Sequence, residues 1–79
     1  MSVKLVFLGR LEDEVGASEC AVAPGSFAEV LAEAGPAVAS AVREPFIRVA
    51  LNGVLVTEPE QLVMVDGDEL AFLPPVSGG

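Results

Sequence analysis

Pro24-Gly25-Ser26-Phe27-Ala28-Glu29-Val30-Leu31-Ala32-Glu33-Ala34-Gly35-Pro36 is the stretch from which the rest of the chain can be laid out. Pro24-Gly25-Ser26 punctuates. Ser26 with Glu29 three residues on matches a capping box, in which a hydroxyl and a carboxylate each satisfy the other residue's backbone N–H. Phe27, Val30, Leu31 and Ala34 fall at i, i+3, i+4 and i+7, one apolar stripe that must face a core. The spacing predicts a helix from Ser26 that ends or kinks at Gly35-Pro36. A second short helical piece is expected over Ala37 to Arg43, stopped by Glu44-Pro45.

On either side of this helix the pattern changes to strands. Val3-Lys4-Leu5-Val6-Phe7-Leu8 is rich in β-formers and reads as a first strand. Gly9 to Gly16, with Glu12-Asp13-Glu14, reads as a charged connection. Ser18 to Ala23 reads as a second strand, with Ser18, Cys20 and Val22 on one face and Glu19 on the other. After the helix, Phe46 to Leu51 and Val54 to Val56 are strands joined by Asn52-Gly53, the pair that a type I′ hairpin turn needs because both residues take positive φ. Glu58 to Leu62 is a turn or a single 3₁₀ turn, Asp66-Gly67-Asp68 is another tight turn, and Glu69 to Leu73 is the last strand.

The order is strand, strand, helix, strand, short strand, strand. A hairpin, a helix crossing one face and returning strands make an α+β fold, a mixed sheet with one main helix packed on one side. A right-handed crossover sets the first strand parallel to the last, which then lies centrally. That is the β-grasp, or ubiquitin-like, arrangement. Residues 1–73 form the expected domain and residues 74–79 an extended tail ending in Gly-Gly.

Composition bounds the function. Hydrophobic residues are 52% of the 79, enough for one small core, with Phe7, Phe27, Phe46 and Phe72 the only aromatics. Twelve acidic residues against Lys4, Arg10, Arg43 and Arg48 leave a formal charge of −8. Such a surface repels phosphate backbones, so neither nucleic acid nor anionic membrane is an expected partner. A basic protein surface is a better one, although solubility alone also explains the charge. No apolar run approaches the roughly 18 residues of a membrane span, and the N-terminus has no signal-peptide pattern. The expected compartment is the cytoplasm.

Catalytic side chains are scarce. The chain has no His, Tyr or Trp, and Cys20 has no partner for a disulfide and no base to deprotonate it. Neither Glu12-Asp13-Glu14 nor Asp66-Gly67-Asp68 matches a Ca²⁺ loop, and no glycine spacing matches a phosphate-binding loop. No metal, no bound cofactor and no self-contained enzyme activity are expected.

What remains is the C-terminus. Leu70-Ala71-Phe72-Leu73 runs into Pro74-Pro75-Val76-Ser77-Gly78-Gly79. The prolines carry no N–H and favour an extended exit, and two residues without Cβ can thread a slot closed to any other. Ser-Gly-Gly alone has the composition of a linker. The prolines, the apolar strand and the fold favour a tail built to carry its carboxylate into other proteins' active sites. An α-carboxyl titrates near 3.3–3.7 and is ionised and inert as an acyl donor at neutral pH, so a partner must activate it as an anhydride with a nucleotide phosphate.

Asp66-Gly67-Asp68-Glu69-Leu70-Ala71-Phe72-Leu73-Pro74-Pro75-Val76-Ser77-Gly78-Gly79 resembles the C-terminal signature of the molybdopterin synthase small-subunit family, and Val49-Ala50-Leu51-Asn52-Gly53 resembles its mid-chain strand and turn. The resemblance covers the whole chain in length and element order. It implies that an ATP-dependent activating enzyme adenylates Gly79 and that sulfur from a persulfide donor converts it to a thiocarboxylate. It also implies that the synthase large subunit takes up Pro74, Pro75, Val76, Ser77, Gly78 and Gly79 and passes the sulfur to cyclic pyranopterin monophosphate for the molybdenum cofactor. Two small and two large subunits would form a heterotetramer. ATP is used by the activating partner, not bound by this chain. Phe7 and Phe72 are candidates for an apolar partner contact near the tail base, with core packing the alternative. The family often has Leu-Arg-Glu where this chain has Leu11-Glu12-Asp13. Sulfur carriers for thiazole, cysteine or tRNA thiolation, and protein modifiers joined to lysines, share the fold and the Gly-Gly end and stay open.

Overall fold

The computed structural model describes residues 2–44 and 46–75. In chain order it contains β1 (Val3–Phe7), α1 (Arg10–Val15), β2 (Glu19–Val22), β3 (Gly25–Ser26), α2 (Phe27–Ala34), α3 (Pro36–Val42), β4 (Arg48–Leu51), β5 (Val54–Val56), a 3₁₀ turn (Pro59–Gln61), β6 (Val63–Met64) and β7 (Glu69–Leu73). The main sheet has the order β2-β1-β7-β4-β5. β1 and β7 are parallel, with Leu5 opposite Leu70 and Phe7 opposite Phe72. The pairs β1–β2, β4–β7 and β4–β5 are antiparallel. The last strand is therefore the central one.

The helix boundaries follow from local chemistry. Ser26 Oγ accepts from Glu29 N–H at 3.2 Å while Glu29 Oε1 accepts from Ser26 N–H at 2.9 Å, so the capping box is complete. Its stripe faces inward: Val30 is buried, and Phe27, Leu31 and Ala34 pack half-buried against the core. At Gly35 the chain breaks and restarts as α3 with Pro36 in its first turn, where a missing N–H costs nothing.

Three readings of the sequence are corrected. The segment after β1 is not a plain connection but α1, because Leu11 and Val15, four residues apart, both turn to the core, Leu11 completely. Gly16 closes it in the left-handed conformation, φ 88°, its N–H donating to Glu12 O at 2.9 Å. Phe46 is not the start of a strand. Ile47 N–H donates to Glu44 O at 3.4 Å to close a turn, and Phe46, at φ 69° and 81% exposed, lies outside the sheet. Finally, Gly25–Ser26 and Val63–Met64 pair as a second, two-stranded ladder, too short to leave an alternating pattern.

Alternation along the strands places Val3, Leu5 and Phe7 of β1, Leu70 and Phe72 of β7, and Val49 of β4 on one face, where they meet Leu11, Val30, Val38 and Met64. Phe7 and Phe72 stack across the parallel pair, centroids 5.7 Å apart and planes within 10°. Phe27 tilts onto Phe72 from α2 at 6.4 Å, tying the helix to the middle of the sheet.

Candidate functional site

The base of the tail is built by the end of β7. Bonded to β1 on one side and β4 on the other, β7 keeps its register as far as Arg48 opposite Leu73. One more bond closes that end, Leu8 N–H donating to Phe72 O at 3.1 Å. Pro74 and Pro75 follow outside the ladder and half-buried, since neither can donate to a neighbouring strand. Gly9 lies under Pro74: a Cβ placed on it would stand 3.0 Å from Pro74 Cγ. At the other end of β7, Asp68 accepts from Val65 N–H at 2.9 Å and from Asn52 Nδ2 at 3.0 Å. These two bonds, the backbone one first, hold the Asp68 carboxyl below its ordinary value.

The expected site residues divide into three groups. Pro74 and Pro75 stand at the strand's exit. Phe7 and Phe72 are 1% and 0% exposed, so their rings have no surface to offer a partner in this fold. They stack on each other in the core, Phe72 on the strand that leads to Pro74. Val76, Ser77, Gly78 and Gly79 lie outside the described residues. Leu8 and Gly9 embrace the tail root, yet in the sequence they mark only a strand end and a loop start. Their one signal there is a glycine directly after the first strand.

Nothing else among the described residues offers an alternative chemistry. No group of three or more His, Cys, Asp or Glu is placed to hold a metal ion there. Cys20 is half-buried on β2, and burial pushes its thiol up, so it is protonated at neutral pH and a poor nucleophile. Arg10 Nε lies 3.3 Å from Glu14 and Arg10 Nη2 3.2 Å from Glu44, joining α1 to the end of α3. Glu14 is raised chiefly by its hydrogen bond to Glu44, with Arg10 opposing. All three are substantially exposed and form a surface clamp. No helix of the described residues is long and apolar enough to cross a membrane.

A mixed sheet with helices on one face, whose central strand runs out through two prolines, defines a ubiquitin-like protein of the β-grasp class. Within that class the chain belongs to the ThiS family, whose model matches residues 6–79. It is 36% identical over 70 residues to the molybdopterin synthase sulfur carrier subunit of Haemophilus influenzae, an alignment covering 89% of this chain and 76% of that one. It superposes on small archaeal modifier protein 1 of Haloferax volcanii with a TM-score of 0.77 at 27% identity, over the whole of both chains. A complex of subunits 1 and 2 of the molybdopterin-converting factor of Helicobacter pylori contains the same fold, at a TM-score of 0.62 and 23% identity over the whole of both chains.

Proposed function

We propose that this chain is a sulfur carrier and the small subunit of a molybdopterin synthase. The observation that carries the reading is the central β7, bonded on both sides, delivering the chain through Pro74-Pro75 toward Gly78-Gly79. The 36% identity to the Haemophilus influenzae subunit supports the choice of pathway.

In this reading a carboxylate oxygen of Gly79 attacks the α-phosphorus of ATP held by an activating enzyme, and pyrophosphate leaves. The resulting acyl-adenylate is attacked at its carbonyl carbon by a persulfide sulfur, and AMP leaves. A second thiol cleaves the acyl disulfide and leaves a thiocarboxylate on Gly79. The large subunit then admits Pro74, Pro75, Val76, Ser77, Gly78 and Gly79 and passes the sulfur to cyclic pyranopterin monophosphate. The pairing of subunits 1 and 2 in the Helicobacter pylori complex supports such a partner. Two of each subunit would form the assembly. The chain itself supplies shape and rigidity, not catalytic side chains or a bound cofactor. The compartment is the cytoplasm, where ATP is present and a free thiol such as Cys20 stays reduced.

Purified thiocarboxylated chain, mixed with the large subunit and cyclic pyranopterin monophosphate, is expected to yield molybdopterin. Absence of product overturns the pathway. The likeness to the Haloferax volcanii modifier favours one second reading, conjugation to lysines. High-mass isopeptide adducts ending in Gly79, recovered from host cells, would support it.

A further inference from the structure

We propose that Gly9 is the seat of the tail root, the residue that sets the direction in which the chain leaves β7 through Pro74 and Pro75 and so how that root is presented to its partners. The inference rests on the carrier reading and names a positioning residue for it, since Gly9 touches the tail root and no reacting atom.

Gly9 has φ 57° and ψ −136°, a combination that is strained for any residue with a Cβ. It folds the Leu8-Gly9 corner back over the end of β7. There Leu8 N–H holds Phe72 O at 3.1 Å, and the bare face of Gly9 receives the Pro74 ring. A methyl group on Gly9 would stand 3.0 Å from Pro74 Cγ, well inside the roughly 3.5–4.0 Å at which carbon atoms pack. The ring cannot turn aside as a long side chain would, because it is closed onto the backbone. Gly16, Gly35, Gly53 and Gly67 also have positive φ, but a Cβ on any of them meets nothing within 4 Å. Among these described glycines, Gly9 alone joins a restricted conformation to close contact with another segment.

Direction at the root matters because every residue beyond Pro75 is joined to the folded body only through it. A misplacement of about 1 Å can already cost a reaction on the order of a hundredfold. Pro74 and Pro75 both lock φ, so the direction given at the seat is passed on through them.

The test compares Gly9→Ala with Gly16→Ala, which puts a Cβ at positive φ (88°, left-handed) in open space. With both variants folded by circular dichroism, Gly9→Ala is expected to shift the NMR signals of Leu73, Pro74 and Pro75 and leave those of α2 unchanged. It should also lower kcat/KM for adenylation by the activating enzyme about tenfold or more. Gly16→Ala should stay within about twofold and leave the Leu73–Pro75 signals in place. Equal losses in the two variants, or an unmoved tail root in Gly9→Ala, would overturn the seat. If Gly9→Ala does not fold, Pro74→Ala probes the contact from the other side: Leu8 and Gly9 signals should move and kcat/KM fall without a change in Tm, and no change in either refutes the proposal. Failure of the wild-type chain to be adenylated counts against the carrier reading, and the NMR comparison still decides the seat.

Discussion

The side chain of Asn52 reaches from the β4–β5 turn to the first residues of β7, its Oδ1 accepting from Glu69 N–H at 2.9 Å and its Nδ2 donating to Asp68 at 3.0 Å. Its backbone takes φ 50° and Gly53 takes 86°, the positive pair that the Asn-Gly dipeptide announces. The turn was legible because two neighbouring residues specify it. The tie to Asp68 was not, because it joins positions 16 apart that only the β4–β7 pairing brings together. Asn52→Ala loses both bonds and the tolerance for positive φ, and should cost about 1–3 kcal/mol in urea unfolding. Asp68 adds a pH dependence. Its carboxyl is held below the ordinary 3.8, so the native chain binds fewer protons than the unfolded one through that range. Its stabilising contribution is complete above about 3.8 and is lost as pH falls through the lower folded value. Glu29, held below 4.5 first by Ser26 N–H and then by the Ser26 hydroxyl, acts in the same sense. Glu14 acts in the opposite sense, its contribution present below 4.5 and lost as pH rises through the raised value. Asp68→Asn should therefore flatten the stability change between acid and neutral pH, and an unaltered acid limb would contradict the assignment.

At the scale of elements, α2 was readable to its first residue because capping and periodicity agree: the box fixes the start and the stripe fixes the buried face. Ser26→Ala should cost about 1 kcal/mol in chemical denaturation. α1 was not readable, since its two core positions, Leu11 and Val15, sit among Glu12, Asp13 and Glu14 and one turn and a half is too short for a periodic signal. Yet Leu11 is fully buried, so Leu11→Ala should cost about 2–5 kcal/mol, whereas substituting a residue of an ordinary charged loop would cost almost nothing. The same shortness hid β3 and β6. Phe46 misled for another reason: aromatic residues favour strands, but a turn closed from Ile47 to Glu44 overrides that preference.

For the whole molecule, the consequence is a division of labour between a rigid body and its main-chain end. Phe72 is the hinge of that division, buried at the centre of the sheet two residues before Pro74. Phe72→Ala should cost about 3–5 kcal/mol and weaken sulfur transfer only through loss of folded protein. Gly78→Val should do the reverse, leaving Tm unchanged and blocking entry to a narrow partner site. The end of β7 at Pro74-Pro75 was legible in the sequence, because prolines declare their backbone constraints. The seat beneath it was not, because Gly9 and Pro74 are far apart in the chain and meet only once β1 and β7 are paired. The most direct measurement is intact and peptide mass of the chain after reaction with the activating enzyme, ATP and a persulfide donor. One oxygen should be replaced by sulfur on the peptide ending in Gly79; sulfur found on Cys20 instead, or an unchanged terminal peptide, would contradict the account.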